Sequence, residues 1–232
     1  MFFDIYYIIL VLPAALFAGW ASLRVNSTYN KYSRVKSSKG IIAADVSRSL
    51  LDSKGLYDVK IEQTKGNLTD HYDPSKKVIR LSETVYNNTS VAAIGVACHE
   101  AGHALQYAND YSFIKLRSAI LPVTKISSNL ALPLVMIGIF FSSSSNNLIW
   151  VSYLGIFGFL MAAIFQLVTL PAEFDASKRA LVCMLDGGYL TNEEVNDSKR
   201  VLDAAALTYV AALAVSIMSF LRFALIVFSR RD

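Results

Sequence analysis

The sequence predicts a mainly α-helical, multi-span membrane protein with about four transmembrane helices and a small β-element. Of its 232 residues, 54% are hydrophobic and 17% are charged, and the mean hydropathy is +0.41. In soluble domains roughly a quarter of the residues are charged, so this composition indicates a membrane protein. Four apolar runs are candidate spans. Between residues 40 and 110 the apolar spacing changes from helical to alternating, which predicts the β-element.

The first apolar run, residues 2–23, is predicted to be a retained membrane anchor. It lacks the basic start of a signal peptide, and no small-residue cleavage signal precedes Arg24. A spanning helix needs roughly 20 residues, so the run is long enough. Pro13 is acceptable inside a membrane helix.

Three further apolar runs cover residues 126–141, 148–170 and 204–228. The polar, uncharged residues 142–147 separate the first two of these runs and predict a tight turn. The chain then divides into a first span (2–23), an aqueous segment (24–125), a hairpin of two spans (126–170), a second aqueous segment (171–203) and a last span (204–228).

The lysines and arginines predict the orientation in the membrane. Fifteen of them fall within residues 24–125 and four within residues 171–203, so both segments are expected to face the cytoplasm. Four spans leave Arg230 and Arg231 outside, so a re-entrant or interfacial last run is the alternative. The cations are dispersed, and we expect no nucleic-acid partner.

The first aqueous segment predicts a helix, short strands and a second helix. Apolar residues at helical spacing begin at Ile41, and Gly55 is predicted to end that helix. Two alternating stretches with turn residues between them predict hairpin-like strands around Ile61 and Ile79. Helical spacing resumes after Ser90, which is a candidate cap together with Thr89.

This second helix carries His99, Glu100 and His103. Histidines four residues apart project from one face of a helix and can hold one metal ion, here expected to be one Zn²⁺ per chain. Catalytic zinc has three protein ligands and a water, whose pKa it lowers. Glu100 is positioned to act as the general base. Chance pairing of two histidines is the competing interpretation.

A third ligand is needed, and the residues alone leave three candidates. His71 is the only other histidine. Glu173 directly follows the third apolar run, on the predicted side of His99. Asp186 stands in a Leu-Asp-Gly element that resembles site-2 intramembrane proteases. Polar residues flank the His99 helix on both sides, however, so it is unlike a helix embedded in lipid.

Several stretches together resemble the bacterial YugP-type neutral zinc metallopeptidases. They are Asp70-His71-Tyr72-Asp73-Pro74, Ile79-Arg80-Leu81-Ser82-Glu83, His99 to Ala104, Glu173-Phe174-Asp175-Ala176-Ser177, Gly187-Gly188-Tyr189-Leu190 and Asp203 to Tyr209. The chain is more distantly similar to HtpX and CAAX prenyl proteases, in which a Glu after a membrane hairpin completes a His-His-Glu zinc site. That resemblance implies a zincin-like site with Glu173 as third ligand. Those relatives carry an Asp at the position of Ser177, so histidine support from Ser177 is not expected.

The remaining candidates have weaker signals. His71 is predicted to act catalytically by orienting substrate or stabilising an oxyanion, or else to be a turn histidine bonded to Asp70 or Asp73. Cys98 and Cys183 are expected to be buried free thiols.

The expected function is a membrane-anchored, zinc-dependent metalloendopeptidase with its site at the cytoplasmic face, which hydrolyses peptide bonds of membrane or membrane-near proteins. The alternatives are a site-2-like intramembrane protease that uses Asp186 and a membrane scaffold that binds zinc without turnover. A structural zinc site usually has four protein ligands.

Overall fold

The computed structural model describes residues 4–141 and 148–229, which form a mainly helical protein with one small sheet, as predicted. The helices are α1 Leu12–Tyr32, α2 Ala43–Ser53, α3 Glu83–Tyr86, α4 Val91–Ala108, α5 Ser112–Phe141, α6 Ile149–Asp186 and α7 Asn192–Phe228. A short π-helix, Tyr7–Val11, precedes α1, and the strands are β1 Lys60–Thr64, β2 His71–Asp73 and β3 Val78–Ser82.

Four helices are long and apolar enough to cross a membrane, which confirms the predicted number of candidate spans. They are Tyr7–Tyr32, Ser112–Phe141, Ile149–Asp186 and Asn192–Phe228. Each helix extends beyond its apolar run at one end, because the flanking polar sequence there continues the helix. The predicted turn at residues 142–147 and the cations at 230 and 231 lie outside the described residues. α7 is one uninterrupted helix.

The chain forms two compact units. Of the described residues, the first comprises 4–22, 116–141, 148–170 and 208–229, and the second comprises 23–115 and 171–207. The first unit is referred to below as the apolar unit and the second as the aqueous unit.

Small residues let helices approach closely in the apolar unit. A Cβ on Gly155 of α6 would lie 2.6 Å from the carbonyl oxygen of Ala131 in α5, and one on Gly158 would lie 2.5 Å from that of Ser127. Membrane helices commonly pack through such small residues. Because lipid is as apolar as the side chains, the hydrophobic effect does not drive the helices together, and their association depends on close van der Waals packing. α7 joins this packing through Phe223, which stacks on Phe159 at 4.7 Å between ring centroids.

The sheet of the aqueous unit has the order β1-β3-β2. β2 and β3 form an antiparallel hairpin, with Tyr72 paired to Ile79, and the turn begins at the predicted Asp73-Pro74. β1 pairs with β3 in parallel, with Ile61 opposite Ile79. The prediction that the strands around Ile61 and Ile79 are hairpin-like is therefore wrong for β1 and β3, which run parallel. The antiparallel partner of β3 is β2.

α4 lies at the centre of the hydrophobic core of the aqueous unit. Ser90 caps it by accepting a hydrogen bond from the Ala93 amide at 3.2 Å. Its apolar residues Ile94, Ala97 and Ala101 are fully buried, with the sheet, α2 and the ends of α6 and α7 contributing to the same core. The helix is thereby fixed on several sides, which suits a helix that has to hold side chains in a defined geometry.

Candidate metal centre

The two histidines of α4 project from one face, as their spacing predicts. The ring centroids of His99 and His103 are 4.8 Å apart, and the rings are nearly perpendicular. His103 is 8% exposed, and the His99 side chain is 14% exposed. Glu100, between them, is also buried at 8% exposure. The aqueous unit thus holds two imidazoles and a carboxylate on one buried helix surface.

α6 brings the third member of the group because it packs directly against α4. At Gly102, a Cβ would lie only 2.5 Å from the carbonyl oxygen of Ala176, so only glycine allows this approach. One helical turn from that contact, Glu173 is 2% exposed. Its Oε2 lies 3.3 Å from Nε2 of His99 and 3.5 Å from Nε2 of His103.

These three groups fit a zinc ion. Their ligand atoms all lie within 4.8 Å of one another. Zinc–nitrogen and zinc–oxygen bonds of about 2.0–2.1 Å at tetrahedral angles place ligand atoms about 3.3 Å apart. The observed separations from Glu173 to the two Nε2 atoms match that value. Two imidazoles and one carboxylate also form a donor set that suits zinc and leaves a coordination position open.

Each histidine has a hydrogen-bond partner at the nitrogen that faces away from Glu173. Nδ1 of His99 lies 3.1 Å from Oγ of Ser177. Nδ1 of His103 lies 3.0 Å from Oε1 of Gln106. Metal-binding histidines almost always have such a partner, which fixes the ring and its tautomer. The expectation that Ser177 gives no histidine support is therefore corrected, because its hydroxyl reaches His99 without a carboxylate.

Gln106 determines the tautomer of His103. Its amide nitrogen donates to the Ala172 carbonyl at 2.7 Å and to the Asp175 carboxylate at 2.8 Å. Because both of these partners only accept, the other amide atom must be the oxygen, and it accepts from N–H at Nδ1 of His103. In the neutral form of the ring, Nε2 of His103 then carries no proton, as a metal ligand requires.

Sequence analysis missed Gln106, and it named Asp175 only as part of a stretch that resembles the family. The available signal was the position of Gln106 three residues after His103, on the same helix face. Asp175 does support the site, but through Gln106 rather than by contacting a histidine. Arg179 in turn donates to Asp175, from one turn along α6.

The site stabilises positive charge. Burial works against protonation of His103, but hydrogen bonding to Glu173 and the nearby charge of Glu100 outweigh burial and raise the pKa of His103. The same carboxylates would attract a divalent cation to the position between the rings.

Comparison with known proteins supports this assignment of the metal. The sequence model of a family described as "Putative neutral zinc metallopeptidase" matches residues 7–228. The chain belongs to this family. It is also 46% identical over 226 residues to "Putative membrane protease YugP" of Bacillus subtilis (strain 168), a match that covers 97% of this chain and 98% of that protein. No solved structure matches the chain. The resemblance seen in the sequence is confirmed, and the family implies zinc. His99, His103 and Glu173 form a possible site for that ion.

The structure does not bring His71 into this cluster. His71 is exposed on β2, where Nδ1 lies 2.9 Å from the Thr69 carbonyl oxygen and Nε2 lies 3.4 Å from Nη1 of Arg80. Neighbouring side chains of a strand point to opposite faces. The next residue, Tyr72, packs on Tyr107 of α4 at 5.6 Å between centroids, so His71 points away from α4. Its action on substrate stays a prediction.

Asp186, the remaining candidate for the third ligand, also lies apart from the cluster. Asp186 is exposed at the end of α6, thirteen residues after Glu173 and hence about 20 Å further along the helix. Cys98 and Cys183 are free and buried, as expected. Burial raises the pKa of the Cys98 thiol, which keeps it protonated and unsuited to binding a metal.

Proposed function

We propose that this protein is a membrane-anchored zinc endopeptidase that hydrolyses peptide bonds of membrane or membrane-near proteins. The observation that carries the proposal is the buried group of His99, His103 and Glu173, with Glu100 on the same helix between the two histidines. A catalytic site needs three protein ligands and a base, and this arrangement provides both. A zinc site with only a structural role would have no use for Glu100.

In this mechanism, His99, His103 and Glu173 would hold a zinc ion, whose Lewis acidity would polarise the scissile carbonyl and lower the pKa of a water molecule. Glu100 takes the proton from the attacking water and passes it to the leaving amine nitrogen. Ser177 and Gln106 hold the imidazoles of His99 and His103 in position. His71 remains a candidate for contacting the substrate, since an exposed residue on an edge strand is available to an extended peptide.

A cavity beside α4 suits a side chain of the substrate. It has a volume of about 300 Å³ and is lined by Tyr72, Ala104, Tyr107 and Ala108, together with residues of the β1 and β2 regions. Ala104 directly follows His103. The lining offers apolar surface with Asp58 and Lys77 among its polar members, so we expect a preference for an apolar or aromatic residue near the cleaved bond.

The same site would act at the membrane surface rather than inside the bilayer. α4 is not one of the four candidate spans. The concentration of cations in residues 24–125 and 171–203 favours a cytoplasmic site. Anchoring raises the local concentration of membrane-bound chains, which favours them as substrates. The site-2-like alternative requires Asp186 as a ligand, and the scaffold alternative requires a fourth protein ligand.

The test compares zinc content and cleavage of a membrane-tethered, unstructured reporter for the wild type, Glu100→Gln and Glu173→Ala. We expect Glu100→Gln to retain zinc and lose cleavage by a factor of at least about 100, because general-base catalysis contributes that much. Glu173→Ala is expected to lose both. Glu193→Gln, an exposed glutamate in the first turn of α7, is the matched control. Full cleavage by Glu100→Gln would refute the mechanism, and full zinc content in Glu173→Ala would refute the ligand set.

A further inference from the structure

A second cavity in the aqueous unit is lined almost entirely by cationic and hydroxyl-bearing side chains. Its volume is about 460 Å³, and its lining residues are Arg24, Ser27, Thr28, Lys31, Tyr32 and Arg200. No carboxylate is among these lining residues. The Ser27 hydroxyl donates to the Arg24 carbonyl oxygen at 3.0 Å. The three cations and the hydroxyls of Thr28 and Tyr32 make the space a site for a small anion, because both kinds of group can donate hydrogen bonds to phosphate oxygens.

Two helices build this cavity in a regular way. Arg24, Ser27, Thr28 and Lys31 follow one another at intervals of three or four residues, so they share one face of α1. Arg200 comes from α7 and is held by a 2.8 Å hydrogen bond from Nη1 to the Tyr32 hydroxyl. Asp197 lies 3.6 Å from the same nitrogen but does not line the cavity. Arg200 is thus oriented by Tyr32 and forms an ion pair with Asp197, while it still lines the cavity.

The position of these residues in the sequence places the cavity at the bilayer surface. Arg24 is the first charged residue after the uncharged stretch 5–23, and Arg200 lies one turn before the uncharged stretch 204–221. Where apolar helices end, phospholipid headgroups begin. Basic pockets between such helices commonly hold anionic headgroups.

We propose that this cavity binds the phosphate group of an anionic phospholipid. The binding site is separate from the zinc cluster and does not depend on peptidase activity. Each of Lys31 and Arg200 is expected to contribute about fivefold to the affinity, and the two together about 25-fold. Because the attraction is electrostatic and partly exposed, the affinity should fall as salt is added.

The experiment is a titration of the full-length protein in neutral detergent, read by native mass spectrometry. The added probes are phosphatidylglycerol, phosphatidylcholine with the same acyl chains, and inorganic phosphate. The variants are Lys31→Gln, Arg200→Gln and the double variant. The matched control is Lys39→Gln/Lys199→Gln, which removes the same charge from two exposed lysines outside the cavity lining.

We expect phosphatidylglycerol to bind the wild type and the control alike, with the dissociation constant raised about 25-fold in the double variant. Lys31→Gln alone keeps the test valid if loss of the Arg200–Tyr32 hydrogen bond impairs folding. Equal affinity of the double variant and the control would overturn the site. Equally tight binding of phosphatidylcholine would overturn recognition of an anionic lipid. If inorganic phosphate displaced phosphatidylglycerol at equal concentration, the cavity would be a site for free phosphate rather than for the phosphate group of a lipid.

Discussion

At the scale of single residues, Gln106 connects the two helices of the metal site. It is fully buried, accepts from His103, and donates to both Ala172 and Asp175 of α6. Each buried partner would lose a hydrogen bond if this amide were removed. The single side chain therefore fixes the ring of His103 and helps to fix the segment of α6 that carries Glu173.

We predict that Gln106→Ala weakens zinc binding about 10- to 100-fold, the usual effect of removing a partner of a metal-binding histidine. The measurement is a zinc titration in competition with a chromogenic chelator, on detergent-purified protein. Gln63→Ala, at an exposed position of β1, is the control and should bind zinc like the wild type. An unchanged affinity in Gln106→Ala would show that His103 does not need this support.

At the scale of elements, the contact between α4 and α6 depends on Gly102. Sequence periodicity predicted α4, and the His-Glu-x-x-His spacing predicted its two imidazoles. Neither can predict which helix packs on α4, since helix packing is set by side chains far apart in sequence. The resemblance, rather than periodicity, selected Glu173. The parallel pairing of β1 and β3 was missed for the same reason, because the pairing of distant strands leaves no local pattern.

We predict that Gly102→Ala lowers the free energy of unfolding by about 1–3 kcal/mol, since overpacking a tight contact costs this much. Zinc content should fall as well, because the added methyl group pushes Ala176, and with it Glu173, away from α4. Thermal unfolding and metal analysis measure the two effects. Gly19→Ala is the matched control within a helix, because a Cβ there would have no atom within 4 Å. A Gly102→Ala protein with normal melting and full zinc would contradict the close contact.

At the scale of the whole molecule, zinc is expected to stabilise the fold because it links α4 to α6. A ligand that binds only the folded state adds about 2.7 kcal/mol when its free concentration is 100 times its Kd. Chelation should therefore lower the Tm of the wild type. The Tm of Glu173→Ala should already be lower and should not respond to the chelator. A chelator that shifts both proteins equally would show that the stabilising metal binds elsewhere.

The apolar unit has its own long-range connection, an ion pair between Asp4 and Arg222. Nη2 of Arg222 lies 2.6 Å from Oδ2 of Asp4, and its guanidinium lies over the rings of Tyr7 at 5.1 Å and Phe223 at 4.6 Å. Arg222 is 9% exposed. An arginine in an apolar helix is costly unless it is paired, so the pair joins the start of the chain to the end of α7.

We predict that Asp4→Asn lowers the free energy of unfolding by about 1–3 kcal/mol. This is below the usual cost of breaking a fully buried pair, because the side chain of Asp4 is 24% exposed. The double variant Asp4→Asn/Arg222→Met should be more stable than Asp4→Asn alone, since it removes the arginine left without its carboxylate. Thermal unfolding in detergent measures both, with Asp45→Asn on the exposed side of α2 as the control. If the double variant is less stable than Asp4→Asn, Arg222 contributes mainly through its contacts with the aromatic rings.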